Sequence, residues 1–215
     1  LIPISPFSPR DFKNNVTETS ASFLSTLWVD ANSLIIFLTF RRPSSRFHTD
    51  LPSRSSCIFL LIGLTGLWVR KVCILEKKGV HVILPPENQR AADLPIIVPE
   101  IKGMFEISHP DEVSVFDVGG DDVGARVLAS FQALLEKGNY KFLQVINSRR
   151  PFTGTVEGCL AMKSAIEDSA QLPLNGLIVN SHLCDDTTPE IILEGYHLAL
   201  QLSQQTGLPI EFCGI

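Results

Sequence analysis

The chain has 215 residues, enough for one ordinary domain with a proper hydrophobic core. Its formal net charge of -5 argues against a nucleic-acid-binding protein held by bulk positive charge. The five cysteines are scattered without a C-x-x-C pair, a pattern that fits neither a disulfide framework nor a zinc site and predicts a cytoplasmic setting.

Two kinds of sequence follow one another along the chain. Residues 1–70 hold four acidic and seven basic side chains and eleven serines, with almost no helical periodicity. Residues 71–215 hold 19 acidic and 11 basic side chains and alternate regularly between strand and helix patterns. We therefore divide the chain into an atypical N-terminal segment, 1–70, and the larger part of an α/β domain, 71–215.

Neither apolar run of the first segment predicts a membrane span. The start "LIPISPFSPRDFKNN" lacks the basic head and long apolar run of a secretory signal. The run 58–69 is too short to cross a bilayer, and polar residues interrupt the run 23–40. We expect a buried strand or helix in each run and no membrane partner.

The predicted elements after residue 73 begin with a helix end closed by Gly79, a short strand in "VHVILPP", and a loop leading to a short helix near Pro99. A strand in "EVSVFDV" follows, and then a helix in "GARVLASFQALLEKG" that ends at Gly138. The apolar side of that helix is predicted from five positions: Val127, Leu128, Phe131, Leu134 and Leu135.

The alternation continues to the end of the chain. Strands are predicted in "KFLQVIN", "LNGLIVN" and "LPIEFCG", and helices in "TVEGCLAMKSAIEDSAQ" and "TPEIILEGYHLALQLSQQTG". In the last helix Thr188 can cap and Pro189 stands at the first helical position. This order predicts an α/β fold with a mostly parallel sheet flanked by helices on both faces.

Polar residues follow three of the predicted strands, at 117–122, 147–153 and 180–183. Ligands bind beyond the carboxyl ends of the strands in such sheets, and parallel strands bring those ends to one edge. We therefore expect the three segments to share one edge and to form the candidate site.

The stretch "FDVGGDD" has two interpretations. Asp117 is placed to hold a water on Mg²⁺, and Gly119 and Gly120 would let backbone N–H groups approach a phosphate. Alternatively, the stretch is a strand-to-helix turn in which aspartates cap the helix and a glycine takes a positive φ. The motif alone does not distinguish the two.

The other polar residues carry weaker signals. Asn180 could offer its amide to an adenine edge or could satisfy loop backbone, and the Arg149–Arg150 pair could hold an anion or pair with a nearby acid. A metal cluster of His182, Asp185 and Asp186 is the minor alternative to a helix start. Cys184 has no base nearby that would make it a nucleophile.

Several motifs, in order, resemble an ATP-binding family of bacteria and archaea in the MinD/ParA/CobQ-type branch of the P-loop NTPases. They are "LEKKGVHVILPP", "ADLPIIVPEIKG", "FDVGGDDVGARVL", "VINSRRPFTGT", "GLIVNSHLCDDTTPEIILEGY" and "TGLPI", and they cover about residues 74–215. The resemblance implies a three-layer P-loop NTPase-like fold that binds ATP and Mg²⁺. It also implies a nucleotide as partner and allows a homodimer.

By this resemblance, Asp117 matches the Walker B aspartate, which holds Mg²⁺ through water, and Gly119 and Gly120 match the switch glycines. Asn180 matches an asparagine placed against adenine. The chain departs from the family where a phosphate-binding loop should precede these motifs, because residues 1–73 contain no G-x-x-x-x-G-K-[ST]. ATPase activity is therefore an open question for this chain.

Three hypotheses account for the departure. The chain is an ATP-binding protein of the P-loop class, or a non-catalytic remnant or interaction domain, or an unrelated α/β enzyme with a metal site at Asp117, Asp121 and Asp122. Residues 1–70 have the composition of a shifted reading frame, with a genuine divergent segment as the alternative. A foreign segment would leave the strand "VSVFDV" with an exposed edge.

Overall fold

The computed structural model describes residues 33–39, 57–61, 76–77, 81–83, 113–119, 121–135 and 139–214 of the chain. These residues form an α/β fold around a seven-stranded sheet in the order β3-β2-β4-β1-β5-β6-β7. The strands are β1 (Ser33–Thr39), β2 (Cys57–Leu61), β3 (His81–Ile83), β4 (Val113–Gly119), β5 (Asn139–Ile146), β6 (Gly176–Val179) and β7 (Ile210–Cys213).

The direction of β1 differs from that of its neighbours. β1 runs antiparallel to both β4 and β5, whereas β3, β2 and β4 are mutually parallel and β5, β6 and β7 are mutually parallel. Because β4 and β5 are both antiparallel to β1, they run in the same direction as each other. The carboxyl ends of β4, β5 and β6 therefore meet at one edge of the sheet, as predicted.

Both apolar runs of the N-terminal segment contain strands, β1 and β2. β4 is hydrogen-bonded to β2 on one side and to β1 on the other. These two strands cover both sides of β4, so the exposed edge expected for "VSVFDV" in the case of a foreign N-terminal segment is not seen in the described structure. Within the described part of the chain, no helix has the length and apolar character needed to cross a membrane.

The helices follow the predicted order with one difference. They are α1 (Asp122–Ala129), α2 (Gln132–Leu135), α3 (Val156–Ala170) and α4 (Pro189–Thr206), with a 3-10 turn at Cys184–Asp186. The single helix predicted for 124–138 is interrupted at Ser130 and Phe131, whose N–H groups bond to carbonyl groups three residues earlier. This tighter turn places Phe131 in the core and leaves Leu134 42% exposed, contrary to its predicted burial.

The caps explain where α3 and α4 begin and end. The Thr155 hydroxyl accepts a hydrogen bond from the N–H of Gly158 at 3.1 Å, and α4 ends at Gly207 with a φ of 74°. Pro189 occupies the first turn of α4 as predicted, but the Thr188 side chain makes no capping bond to the backbone. It hydrogen-bonds the Glu190 carboxylate instead, which lowers the pKa of that carboxyl group.

The core lies between the sheet and α1, α3 and α4, which pack on the same face. A first cluster joins β4, α1, β5 and α3, and includes Phe116, Val118, Leu128, Phe142 and Ile166. Two smaller clusters continue it across β6, α4 and β7 through Ile146, Cys159, Leu177, Leu202, Val179, Ala199 and Cys213. Helices were predicted on both faces of the sheet, and the described helices support this prediction for one face.

Several sequence predictions lie outside the described residues. These are the helix end at Gly79, the loop and short helix around Pro99, the helix end at Gly138 and the position of Gly120.

Candidate ligand-binding rim

The candidate site is the edge where β4, β5 and β6 end, which we call the rim. The sequence predicted this site from residues 117–122, 147–153 and 180–183. Asn147 follows β5 and Asn180 follows β6 at the same level, because Ile146 pairs with Val179. The N–H of Asn180 donates to the Ile146 carbonyl at 2.8 Å and continues the ladder to the rim. The polar segments after β5 and β6 are thus neighbours.

The loop after β5 is organised around Asn147, which is 1% exposed. The Asn147 carbonyl accepts from the Thr153 hydroxyl at 2.8 Å and from the Arg150 N–H at 3.1 Å. Its side-chain Oδ1 accepts from the Arg149 N–H at 2.9 Å, and its Nδ2 donates to the His182 carbonyl at 3.5 Å. One buried asparagine therefore fixes the loop and connects it to the segment after β6.

Ser181 forms a second connection between the two segments. Its Oγ, in a side chain that is 2% exposed, accepts from the Ser148 N–H at 2.9 Å. Helix α4 packs directly over it, since a Cβ built on Gly195 would lie 1.9 Å from this oxygen. The small residue at position 195 is what allows the helix to approach the rim so closely.

Asn180 lies beside the end of β7. The N–H of Gly214 donates to the Val179 carbonyl at 2.7 Å, and a Cβ built on Gly214 would lie 2.7 Å from Oδ1 of Asn180. The absence of a side chain at Gly214 therefore leaves room for the Asn180 amide. Asn180 itself is partly exposed.

An open cleft of about 370 Å³ lies between the two segments. Its lining residues are Asn147, Arg149, Arg150, Pro151, His182 and Leu183. The Arg149 guanidinium also forms an ion pair with Glu194 of α4. This is the pairing with a nearby acid that the sequence offered as one of two interpretations of Arg149 and Arg150. Phe152, next to the cleft residue Pro151, is 68% exposed.

Asp117 is set back from the rim, because it lies within β4, two residues before the strand ends at Gly119. Asp117 lies opposite Ile35 of β1, and Ile35 lies opposite Leu143 of β5, four residues before Asn147. At roughly 3.3 Å per residue, Asp117 is about 13 Å below the level of Asn147. It is 6% exposed, on the face of the sheet opposite α1, and so lies within the sheet rather than on the rim.

The turn from β4 into α1 has the features of the structural interpretation. Asp121 caps α1, since its Oδ1 accepts from the N–H of Gly124 at 2.7 Å. Gly119 and Gly124 make a close backbone approach, because a Cβ on Gly124 would lie 2.4 Å from the Gly119 carbonyl oxygen. Gly119 is the last residue of β4 and has no positive φ; among the described glycines only Gly207 does.

The other polar side chains of interest are placed as follows. Asp122 forms an exposed ion pair with Arg126 at 3.7 Å. Among the described residues, no three His, Cys, Asp or Glu side chains are grouped so that they could hold a metal ion. The clusters suggested for Asp117, Asp121 and Asp122 and for the segment 182–186 therefore do not form in the described part of the chain.

The two described cysteines whose side chains are placed are buried free thiols. Burial, with a smaller contribution from the Glu157 carboxylate, raises the pKa of Cys159 to about 12, and burial raises the pKa of Cys213 to about 11. Both remain protonated at neutral pH and are packed in the core. The side chain of Cys184 lies outside what the structure describes.

Sequence reasoning missed Asn147, Ser181 and Gly195 as organisers of the rim. A signal was present for Asn147, which directly follows a buried strand, but only the close contact with Ser181 shows the role of Gly195.

No protein-family model, no curated protein and no solved structure matches the chain.

Proposed function

We propose that the chain is a non-catalytic α/β domain of the ATP-binding MinD/ParA/CobQ-type class. On this proposal it is P-loop NTPase-like and three-layered, and it keeps a nucleotide-facing rim around Asn180 but lacks the phosphate-binding loop of the class. A cytoplasmic location and the option of a homodimer belong to the same proposal. The motifs of residues 74–215 support the class, and the geometry at the centre of the sheet supports the loss of activity.

The direction of β1 is the observation that carries this proposal. A phosphate-binding loop follows the carboxyl end of a strand and leads into a helix at the ligand-binding edge. Here the amino end of β1 lies at that edge, because Ser33 pairs with Gly119. Its carboxyl end lies at the opposite edge, where Thr39 pairs with Val113 and Asn139. The chain that leaves β1 therefore starts from the wrong side of the sheet to hold a phosphate.

The described residues fit the two parts of Mg-ATP unequally. An asparagine amide carries both a donor and an acceptor, as an adenine edge requires, and Asn180 is partly exposed. In contrast, Asp117 lies within the sheet, and the Asp121 and Asp122 carboxylates are used in a helix cap and an ion pair. These residues do not fit a magnesium–triphosphate group, and we derive no hydrolytic step from them.

The proposal is tested by measuring ATP binding and ATP hydrolysis on the purified chain. We expect weak ATP binding that Asn180→Ala reduces and no hydrolysis above background. Gln201→Ala, an exposed change on α4, serves as the control for ATP binding. Magnesium-dependent turnover that Asp117→Asn abolishes would restore the ATPase hypothesis. No ATP binding at all would leave an interaction domain as the function.

The proposal extends to the origin of residues 1–70, which we attribute to a shifted reading frame. The test is to resequence the coding DNA and translate the region before codon 71 in all three frames. A frame that spells a glycine-rich loop ending in Gly-Lys-Ser/Thr, followed by a helix, would identify the intact ATPase. If no frame does so, the segment is genuine and the frameshift explanation is wrong.

A further inference from the structure

The geometry points to a phosphate-binding site in the cleft between the segments after β5 and β6, with Arg149 and Arg150 as its ligands. The ligand class is a phosphate group, free or carried by a nucleotide. This inference does not depend on the proposed function. It concerns Arg149 and Arg150 rather than Asn180, and the ligand needs no nucleotide base.

The rigidity of the loop is the first support for this site. Arg149 and Arg150 each donate a backbone N–H to Asn147, and the Thr153 N–H donates to the Arg150 carbonyl at 3.2 Å. These bonds fix the backbone from which both guanidinium groups extend. A ligand that binds them therefore does not have to order a flexible loop, which is a major entropic cost of recognition.

The chemistry of the lining residues is the second support. Guanidinium groups are pure donors whose planar geometry matches two oxygens of a phosphate or carboxylate. Arg149 already binds one oxyanion, the Glu194 carboxylate. Pro151 and Leu183 line the same open cleft, and a hydrogen bond from a guanidinium group to an oxyanion there is charge-assisted and stronger than a neutral one.

The position and size of the cleft agree with a small ligand. It lies beyond the carboxyl ends of two neighbouring parallel strands, where ligands of α/β proteins bind. Its volume of about 370 Å³ is within the usual range of small-molecule sites. A doubly charged phosphate should displace the singly charged Glu194 carboxylate from Arg149 and engage both arginines. The exposed carboxylates of Asp185 and Asp186, which follow Leu183, oppose this binding.

The experiment titrates the full-length chain with inorganic phosphate and with AMP, in low salt, and follows binding by calorimetry and by ³¹P NMR. We expect Arg150→Gln to weaken phosphate binding about tenfold, since it removes a charge-assisted contact, and Arg150→Lys to weaken it less. We expect Glu194→Gln to strengthen binding by about two- to fivefold, because it releases Arg149 from an exposed ion pair.

Arg126→Gln is the matched control, since it removes one exposed arginine from a different ion pair on α1. Unchanged binding in this variant supports a specific site, while a loss equal to that of Arg150→Gln would reduce the effect to net charge and overturn the inference. The wild-type chain failing to bind either ligand, or Glu194→Gln showing no gain, would also overturn it. Circular dichroism of each variant confirms that the fold is retained.

The two ligands identify the source of the phosphate. Equal affinities that both depend on Arg150 indicate the phosphate group alone, and a higher Arg150-dependent affinity for AMP indicates a nucleotide. Binding of inorganic phosphate that does not depend on Arg150 would overturn the site. Because inorganic phosphate has no base, a negative result with it leaves the Asn180-dependent ATP test of the proposed function unaffected.

Discussion

Replacing Gly195 by alanine tests whether α4 is held against the rim as closely as the structure indicates. The new Cβ would lie 1.9 Å from Oγ and 2.4 Å from Cβ of Ser181, so the helix or the serine must move. Overpacking of this kind destabilises proteins by roughly 1–3 kcal/mol. If the serine moves, the Ser148 N–H also loses its acceptor, which adds about 1 kcal/mol or more.

The better helix propensity of alanine offsets part of this loss, by about 1 kcal/mol. We therefore expect Gly195→Ala to lower the free energy of unfolding by roughly 1–3 kcal/mol. The assay is urea denaturation followed by circular dichroism at equilibrium. In the double variant with Ser181→Gly, the steric part should be recovered, and the double-mutant cycle gives the coupling between the two positions. A Gly195→Ala chain as stable as the wild type would refute the close contact.

Three further predictions concern the β4–α1 turn and the core. Gly124→Ala should destabilise the fold by about 2 kcal/mol or more in the same assay, because its Cβ would meet the Gly119 backbone carbonyl, which cannot rotate away; no loss would contradict the close approach. Asp121→Ala should lower the free energy of unfolding by about 1 kcal/mol, because the helix cap is lost. Asp122→Ala removes only an exposed ion pair and should change it by less than about 0.5 kcal/mol. The reverse order of the two effects would contradict the capping geometry. The buried, protonated Cys159 thiol should contribute fully to the free energy of unfolding below pH 9.0, its ordinary pKa. This contribution should fall by about 1.4 kcal/mol per pH unit as the pH rises toward about 12, the pKa of the thiol in the folded chain. In urea denaturation at several pH values, a Cys159→Ala chain should lack this part of the pH dependence.

The sequence was sufficient for the elements that have a clear period and clear ends. Helix α3 begins at Val156 after its cap Thr155, helix α4 begins at Pro189, and both end where the pattern predicts, because caps and prolines act locally. The interruption at Ser130 was not predictable in this way. The apolar positions before and after it share one helical period, and only packing of Phe131 into the core requires the tighter turn.

The candidate site was predicted only as a set of segments. Strand order along the chain was enough to bring the segments after β5 and β6 to one edge, since parallel strands end together. The depth of Asp117 depends on its register with β1 and β5, which no periodicity of a single strand encodes. The motif "FDVGGDD" therefore suggested that Asp117 lies on the rim, whereas the strand pairing places this residue within the sheet.

Strand direction is the property on which the functional conclusion depends most. The continuous apolar run in Ser33–Thr39 predicts a strand but is the same read from either end, so it cannot determine whether β1 runs with its neighbours or against them. Because β1 runs against them, the chain beyond Thr39 leaves the sheet at the edge away from Asn147 and Asn180. A phosphate-binding loop that directly followed β1 would therefore start at the edge away from the rim. The reading-frame test therefore asks whether the gene encodes a phosphate-binding loop, and the hydrolysis assay asks whether the folded chain has one.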